Sequence, residues 1–549
     1  MSSSSFLALI LLLLLLAIGK GRGRVDVRRI PADFSIGTST SAHQVEGGWT
    51  ADGKGQSIWD NFTHTRADRI RDRSNVDKGC DHYHKYKEDI ELLGEHGFDH
   101  YRFSLSWSRL LPTGRPDNVN RAAVRFYHNI LDELERRNVT PYVTIYHWDH
   151  PQVLEDELGG WLNESMARVF AEYARFVYEE FGPRVRTFTT INEPYVNCYF
   201  GYGTGAYAPG RRQPGVGEYQ CVHNQLKGHA LAYRIYDRDF RARQRGRVGI
   251  VNVCFQYYAK YPQQEELAER AFEFECGWTA QPIFGPEGDY PEVMKKTIAE
   301  KSRREGRNSS RLPEFSPEWI EIIKGSSDYF GLNHYSAMLV EELPPGLRID
   351  AVDVQMMTQD ADLLKSYDPK WPGTESSWLK IVPEGIRDVL NSIRKKYGNP
   401  PVYIMECGTS DGNGLDDNLR VKYLHSYMQQ VLLAKKRDKC DVRAFTIWSF
   451  LDSFEWSSGY TEHFGLVQVD FSDEDRKRTP KNSLAWLKTY ITSLVREVGD
   501  SRTSLSLSPE RSQGDNETRA RITTRTNQHD SRLLLLLLQG GGKGARVTK

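Results

Sequence analysis

Thr189-Thr190-Ile191-Asn192-Glu193-Pro194 is a β-branched and apolar run that ends in a carboxylate and a strand-stopping proline. Tyr403-Ile404-Met405-Glu406-Cys407-Gly408 repeats that plan much farther along the chain. The two belong to a series of β-like runs, at residues 34–41, 98–107, 140–148, 186–193, 248–257, 328–335, 401–406 and 444–450. Most are near-continuous apolar or β-branched stretches, the pattern of strands buried on both faces. Helical spacing fills the intervals. Tyr127, Ile130, Leu131 and Leu134 lie one and two turns apart on one face, and Ile386, Val389, Leu390 and Ile393 repeat that spacing. Asn138-Val139-Thr140-Pro141 and Gly398-Asn399-Pro400 punctuate helix ends ahead of two runs. Strands alternating with helices predict the α/β class and, over residues 33–495, a single (β/α)8 TIM barrel with enlarged βα loops. A doubly wound open sheet is the competing arrangement. Carboxylates and polar aromatics gather at the C-terminal ends of the runs, the rim where barrel enzymes place their chemistry, and this favours the barrel.

The chain has 549 residues, with 73 Lys and Arg against 73 Asp and Glu. That balance argues against a nucleic-acid binder, which carries a basic excess. A mean hydropathy of −0.59 argues against a polytopic membrane protein. Residues 6–18 form an apolar run too short to span a bilayer comfortably and suited to the core of a secretory leader. The small residues around Gly19 predict a signal peptide over 1–19, hence the secretory pathway and an extracellular or lumenal destination. No stable membrane span is expected once the leader is removed. Asn-x-Ser/Thr acceptors at Asn61, Asn138, Asn163, Asn308 and Asn516 agree with a secreted glycoprotein. Cys80, Cys198, Cys221, Cys254, Cys276, Cys407 and Cys440 include no Cys-x-x-Cys pair, which argues against a structural zinc site. Their odd number leaves at least one thiol free. Cys198 and Cys221 bracket a Gly-rich loop and are candidates for a bridge, with the connectivity left open. Residues 499–532 are rich in Ser, Thr, Arg, Asp and Asn and poor in core formers, and the six leucines from Leu533 to Leu538 are too few to span a membrane, so 496–549 is expected to be a disordered tail.

A barrel brings Glu193 and Glu406 to one rim, from strands expected to face each other across it. Two opposed carboxylates are what glycosidic bond cleavage needs: one protonates the leaving oxygen and the other meets the cationic carbon. Either glutamate alone reads better as a surface carboxylate in a loop. Their flanks change that reading, because Asn192 offers an amide to a sugar hydroxyl and Pro194 sets the turn. The 12 Trp and 28 Tyr supply flat apolar faces with polar tips, which suit sugar rings.

With these residues in place the chain resembles the family 1 glycoside hydrolases, the β-glucosidase and lactase-like β-glycosidases. Thr190-Ile191-Asn192-Glu193-Pro194 is similar to the family's acid/base motif, and Glu406 stands where the family has its nucleophile. Gln44-Val45-Glu46-Gly47, the stretch from Tyr101 to Arg109, His147-Trp148-Asp149, Gly159-Gly160-Trp161-Leu162, Asn333-His334-Tyr335 and Ser453-Phe454-Glu455-Trp456 continue the likeness in family order. It runs from about residue 34 to 486. The resemblance implies an exo-acting β-glycosidase working by double displacement, with no metal and no cofactor. Glu406 would attack the anomeric carbon, and Glu193 would protonate the leaving group and then deprotonate water. Arg102 would stabilise the Glu406 charge and Tyr335 would orient it. The resemblance also implies Gln44, His147, Asn192 and Glu455 as contacts to sugar hydroxyls. Trp448 would lie beneath the ring, Trp456 at its edge, Phe464 across the pocket and Trp378 beside the aglycone. The implied substrates are β-D-glucosides, with β-galactosides and β-fucosides as further candidates.

Around the nucleophile the chain departs from the family, with Met405 and Cys407 where Thr and Asn are common. Cys lacks the amide that braces that loop, which puts catalytic efficiency in doubt and keeps open a weakened, klotho-like receptor or glycan-binding protein. Residues 457–460 hold no Lys to bind a phosphate, and Glu193 is not Gln; these disfavour 6-phosphoglycosides and a plant-type thioglucosidase. Gly201-Tyr202-Gly203-Thr204-Gly205-Ala206 lacks the strand-to-helix setting of a dinucleotide site. Cys80, His82 and His84 read as a solvated helix start, and Arg303, Arg304, Arg307 and Arg311 as a solvated loop.

Overall fold

The computed structural model describes residues 29–344 and 359–497. The leader read over 1–19, the Asn516 acceptor and all but the first two residues of the 496–549 tail lie outside the described residues. Those two belong to an ordered edge: Arg29–Pro31 pairs in parallel with Val495–Glu497 and joins the ends of the described chain.

Eight parallel strands close into a barrel: β1 Ser35–Ser39, β2 His100–Ser104, β3 Thr140–Tyr146, β4 Thr187–Asn192, β5 Arg247–Val253, β6 Phe330–Asn333, β7 Val402–Cys407 and β8 Val442–Trp448. Each expected run overlaps one of them, with Arg247, Cys407, Val442 and Arg443 falling outside the expected bounds. The run at 248–257 overlaps a second, because β5 ends at Val253 and the chain re-enters pairing at Gln256–Ala259. That strand joins Ala337–Glu342 and Leu363–Ser366 in a three-stranded sheet beside the barrel. Helices α1 His82–Gly94, α2 Arg121–Arg136, α3 Ser165–Phe181, α4 Gly217–Asp239, α5 Glu292–Arg304, α6 Pro383–Lys396, α7 Asn418–Lys436 and α8 Asn482–Ser493 follow the strands in turn.

The helical spacing in the sequence marks the inner faces. Tyr127, Ile130, Leu131 and Leu134 of α2 are buried, as are Ile386, Val389, Leu390 and Ile393 of α6. Asn120 starts α2 by accepting from the amides of Ala122 and Ala123 at 3.0 and 3.3 Å. Inside the barrel, Tyr142, Val251, Tyr329, Tyr403, Met405 and Ala444 form a separate plug. It needs small residues opposite its rings: a Cβ on Gly249 would lie 2.5 Å from the Tyr329 ring.

The strands that carry Glu193 and Glu406 both slip register near their ends. On β7, Tyr403 and Met405 face the plug, and Ile404 packs in the outer core. Simple alternation would send Glu406 outward with Ile404. A register shift between Ile404 and Glu406 turns it inward instead and sends Cys407 to the helix layer. On β4 a matching irregularity falls between Thr189 and Asn192.

Two side expectations are corrected here. Cys80 and His82 are buried rather than solvated, and His82 pairs with Asp89 at 2.7 Å; only His84 of that trio faces solvent. Arg303, Arg304 and Arg307 are exposed, but Arg311 turns inward to Asp360 at 2.6 Å. Cys198 bridges Cys221, Cys254 bridges Cys276, and Cys80, Cys407 and Cys440 are free. No helix among the described residues is long and apolar enough to cross a membrane.

Candidate active site

A cavity of about 230 Å³ is lined by residues from the C-terminal strand ends and the loops that follow them. β4 and β7 are not diametrically opposed, since only β5 and β6 stand between them on one side of the ring. Even so, Glu193 and Glu406 both line the cavity, and His147, Tyr335, Trp378, Trp448, Glu455, Trp456 and Phe464 line it with them. Gln44, Arg102 and Asn192 stand behind that surface and touch it through hydrogen bonds.

Glu406 is held at both oxygens. Arg102 donates from Nη1 to one, and the Tyr335 hydroxyl donates to the other at 2.6 Å. Arg102 is 1% exposed and makes contacts all round: Nε donates to Thr144 at 3.1 Å, Nη1 to the Met405 carbonyl at 3.3 Å, and Nη2 to Asn192 at 2.7 Å. Tyr335 is anchored in turn, because Tyr423 and Tyr427 of α7 donate to its carbonyl at 2.9 and 3.1 Å. The Glu406 charge thus sits on the barrel frame.

Glu193 has different surroundings. Asn333 donates to it at 2.5 Å and to Asn192 at 3.3 Å. Burial, and next the nearby Glu406 charge, push its carboxyl up to about 8, so it holds its proton at neutral pH. Its backbone adopts φ 44°, ψ 68°, and Pro194 follows at the first position of the short helix Pro194–Cys198. Trp148 and Trp456 also take positive φ, at 72° and 50°. Left-handed backbone at a non-glycine residue costs on the order of 1–3 kcal/mol and persists where packing holds it. Glu193, Trp148 and Trp456, three of the twelve described non-glycine residues with positive φ, line the cavity.

The remaining polar lining is neutral or paired. His147 is kept uncharged by burial and next by Arg102. The Asn192 amide donates to its Nε2 at 3.2 Å, which leaves the proton on Nδ1, an atom with no protein partner. Burial, then Glu462 and Glu406, hold the Glu455 carboxyl well above the usual range. Gln44 is fully buried: it donates to the Phe454 carbonyl at 2.7 Å and to Glu455 at 3.3 Å, and accepts from Ser41. Its amide therefore positions Glu455. The aromatic walls are continuous, with Trp456 against Trp148 at 4.5 Å, Trp448 stacked on His147 at 6.0 Å, and Trp378 stacked on Phe464 at 6.4 Å.

Several lining or supporting residues were not singled out from the sequence. Asn333 lay inside a quoted motif, and only its bond to Glu193 gives it a place. Glu462 lines the cavity and accepts from Ser376, from Ser458 at 3.0 Å and from Arg71 at 3.3 Å. Glu275 and Lys365 line it as an ion pair. The one sequence signal for Glu275 is its neighbour Cys276, and Lys365 has none. Among the described residues, no group of three or more His, Cys, Asp or Glu is placed to hold a metal.

Known proteins resemble this chain in sequence and fold. The model of glycosyl hydrolase family 1 matches residues 27–494. Myrosinase 1 of Brevicoryne brassicae is 40% identical over 469 residues, covering 85% of this chain and 99% of that protein. The human lactase-like protein is 42% identical, covering 84% and 81%. The solved structure of an aphid myrosinase superposes with a TM-score of 0.80 at 40% identity over 84% of this chain and 99% of that one. A beta-glucosidase structure from Trichoderma harzianum gives 0.79 at 35% identity over 87% and 99%. With a closed (β/α)8 barrel and a paired-carboxylate cavity at its C-terminal rim, the chain belongs to glycosyl hydrolase family 1 and is a glycosidase of the β-glucosidase type.

Proposed function

We propose that the protein is a retaining, exo-acting β-glycosidase that hydrolyses β-D-glucosides, with β-galactosides and β-fucosides as further substrates. Glu406 attacks the anomeric carbon, and the sugar–oxygen bond breaks as Glu193 gives its proton to the leaving oxygen. Glu193 then takes a proton from water, which displaces Glu406 and releases the sugar. The observation that carries this reading is the asymmetry of the two carboxyls. Glu406 has a guanidinium and a phenol on its oxygens, whereas Glu193 is buried beside that charge and pushed up to about 8. One is poised as nucleophile and the other as acid. Once Glu406 becomes an ester its charge is gone, the upward push on Glu193 weakens, and Glu193 can serve as base.

The sugar contacts follow the same reading. His147 Nδ1–H, protonated Glu455 and Asn192 address hydroxyls, Trp448 lies beneath the ring with Trp456 at its edge, and Trp378 flanks the aglycone. The two disulfides support entry to an oxidising compartment, in line with a signal peptide over 1–19 and a secreted or lumenal glycoprotein. Asn138 and Asn308 are exposed, as glycan acceptors require. The residues behind the receptor alternative do not face the cavity. Met405 belongs to the barrel plug, and the Cys407 thiol lies 3.6 Å from Tyr423 in the outer layer.

The test is hydrolysis of nitrophenyl β-glucoside by the leader-free protein beside Glu406→Gln. The expected result is turnover in the parent and loss of at least about 10⁴-fold in the variant with circular dichroism unchanged. Comparable turnover in Glu406→Gln would remove Glu406 as nucleophile.

A further inference from the structure

Beyond the catalytic carboxyls, the cavity wall carries a second buried pair of opposite charges. Glu275 lies on the helical turn Glu273–Gly277 and Lys365 on the strand Leu363–Ser366, and the Lys365 ammonium donates to Glu275. Glu275 is 4% exposed and also accepts from the hydroxyls of Tyr257 and, at 3.4 Å, Tyr195. The Cys254–Cys276 bridge ties its turn to the end of β5. Tyr195 comes two residues after Glu193, which places the pair on the side of the general acid and so of the leaving group. The lining around it is otherwise apolar, with Phe255, Met338 and Trp378, and Phe255 meets the Trp378 ring edge-on at 6.3 Å.

A buried ion pair contributes little to stability beyond apolar residues of the same size. One set in the wall of a ligand cavity is better explained by what it recognises. It presents a donor and an acceptor side by side with no net charge. An anionic or cationic ligand group would unbalance it in a poorly hydrated wall. A hydroxyl both accepts and donates and so can meet both partners. The flat apolar faces nearby suit an aromatic ring carrying that hydroxyl. A second sugar would press its other hydroxyls against Phe255 and Met338 without partners. Resting on the β-glucosidase reading above, we propose that Glu275 and Lys365 determine leaving-group specificity, selecting aryl β-glucosides whose ring bears a hydroxyl.

Binding of carbon-linked aryl β-glucosides, which cannot be hydrolysed, tests this apart from catalysis. Phenyl, 3- and 4-hydroxyphenyl, 4-carboxyphenyl and 4-aminomethylphenyl forms would be titrated by tryptophan fluorescence. The proteins are the wild type, the isosteric Glu275→Gln and the double variant Glu275→Gln/Lys365→Met, with folding checked by circular dichroism. The expected wild-type result is about 10- to 100-fold tighter binding of one hydroxyphenyl form than of the phenyl form. That ratio falls in Glu275→Gln and vanishes in the double variant, while phenyl binding stays within about threefold. A wild type with no hydroxyl preference, tightest binding of a charged form, a ratio unchanged by the substitutions, or no aryl binding at all would each overturn the proposal. Nitrophenyl β-glucoside turnover on the same preparations reports separately on the enzyme. Turnover without hydroxyl preference removes only the specificity pair; preference without turnover removes only the hydrolase reading.

Discussion

Two buried pairs of opposite charge serve one cavity, and they are built differently. Arg102–Glu406 joins β2 to β7, with Thr144, Asn192 and Tyr335 filling the remaining hydrogen-bonding positions. A guanidinium does not lose its proton in a protein, so Glu406 has a permanent counter-charge on a rigid frame. Glu275–Lys365 joins two segments outside the barrel strands. There burial pushes Glu275 up to about 8 and pulls Lys365 down to about 7. Desolvation favours the neutral forms of both and mutual attraction favours the charged forms, so the pair sits near balance. The difference teaches where each device belongs. The proposed nucleophile needs a counter-charge that never leaves, and strands supply it with an arginine. The proposed recognition pair tolerates a charge that adjusts, and the side sheet supplies it with a lysine.

The largest effect expected from breaking this contrast is at Arg102. Arg102→Met leaves Glu406 buried without its counter-charge, and should destabilise the fold by about 3–5 kcal/mol and remove nearly all turnover. Urea unfolding and initial rates check both; activity within tenfold of the parent would contradict a charge-holding role. Next is Glu193→Gln, expected to lower kcat for poor leaving groups by about 10²–10⁴-fold. The sign of its pH effect follows from the raised value. The acid is active when protonated, so kcat/KM falls as pH rises through about 8, which sets the alkaline limb. That alkaline limb should disappear in Glu193→Gln, and a limb that persists assigns it to another group.

The second pair sharpens the comparison from the mild side. Lys365→Met leaves a carboxyl already inclined to take up a proton, so its stability loss should be about 1–2 kcal/mol, well short of Arg102→Met. The double variant Glu275→Gln/Lys365→Met should recover most of that. Equal losses for Lys365→Met and Arg102→Met would erase the distinction. The smallest effect is expected at Cys407→Asn. The thiol faces Tyr423 and not the cavity, so kcat/KM should move by a factor of about three or less, with stability changed by about 1 kcal/mol. A large gain in rate would show that the loop geometry does depend on an amide there.

Much of the barrel was legible because its signals are local. Apolar runs and helical faces repeat over short windows, so strand count and the inner faces of α2 and α6 follow from residue order. The runs overshot where tertiary pairing decided the ends, as at Cys254, where the chain leaves the barrel for the side sheet. The candidate site was legible in so far as strand ends carry it: Glu193, Glu406, His147 and Trp448 all sit at the ends of runs. Gln44, read as a sugar contact, is also tied to Ser41, the Phe454 carbonyl and Glu455, neighbours that only the fold supplies.

By itself, the order of residues determined the barrel class and pointed to one rim and to two carboxyls to examine there. Only the tertiary structure decided that a register slip turns Glu406 inward while Cys407 turns out, since alternation alone would put Glu406 outside. Only it joined Cys254 to Cys276 and brought Lys365 to Glu275, positions with no shared period or motif. The physical reason is range. Periodicity reports how a residue relates to its own helix or strand, whereas burial, charge balance and pKa depend on neighbours that folding alone brings into contact.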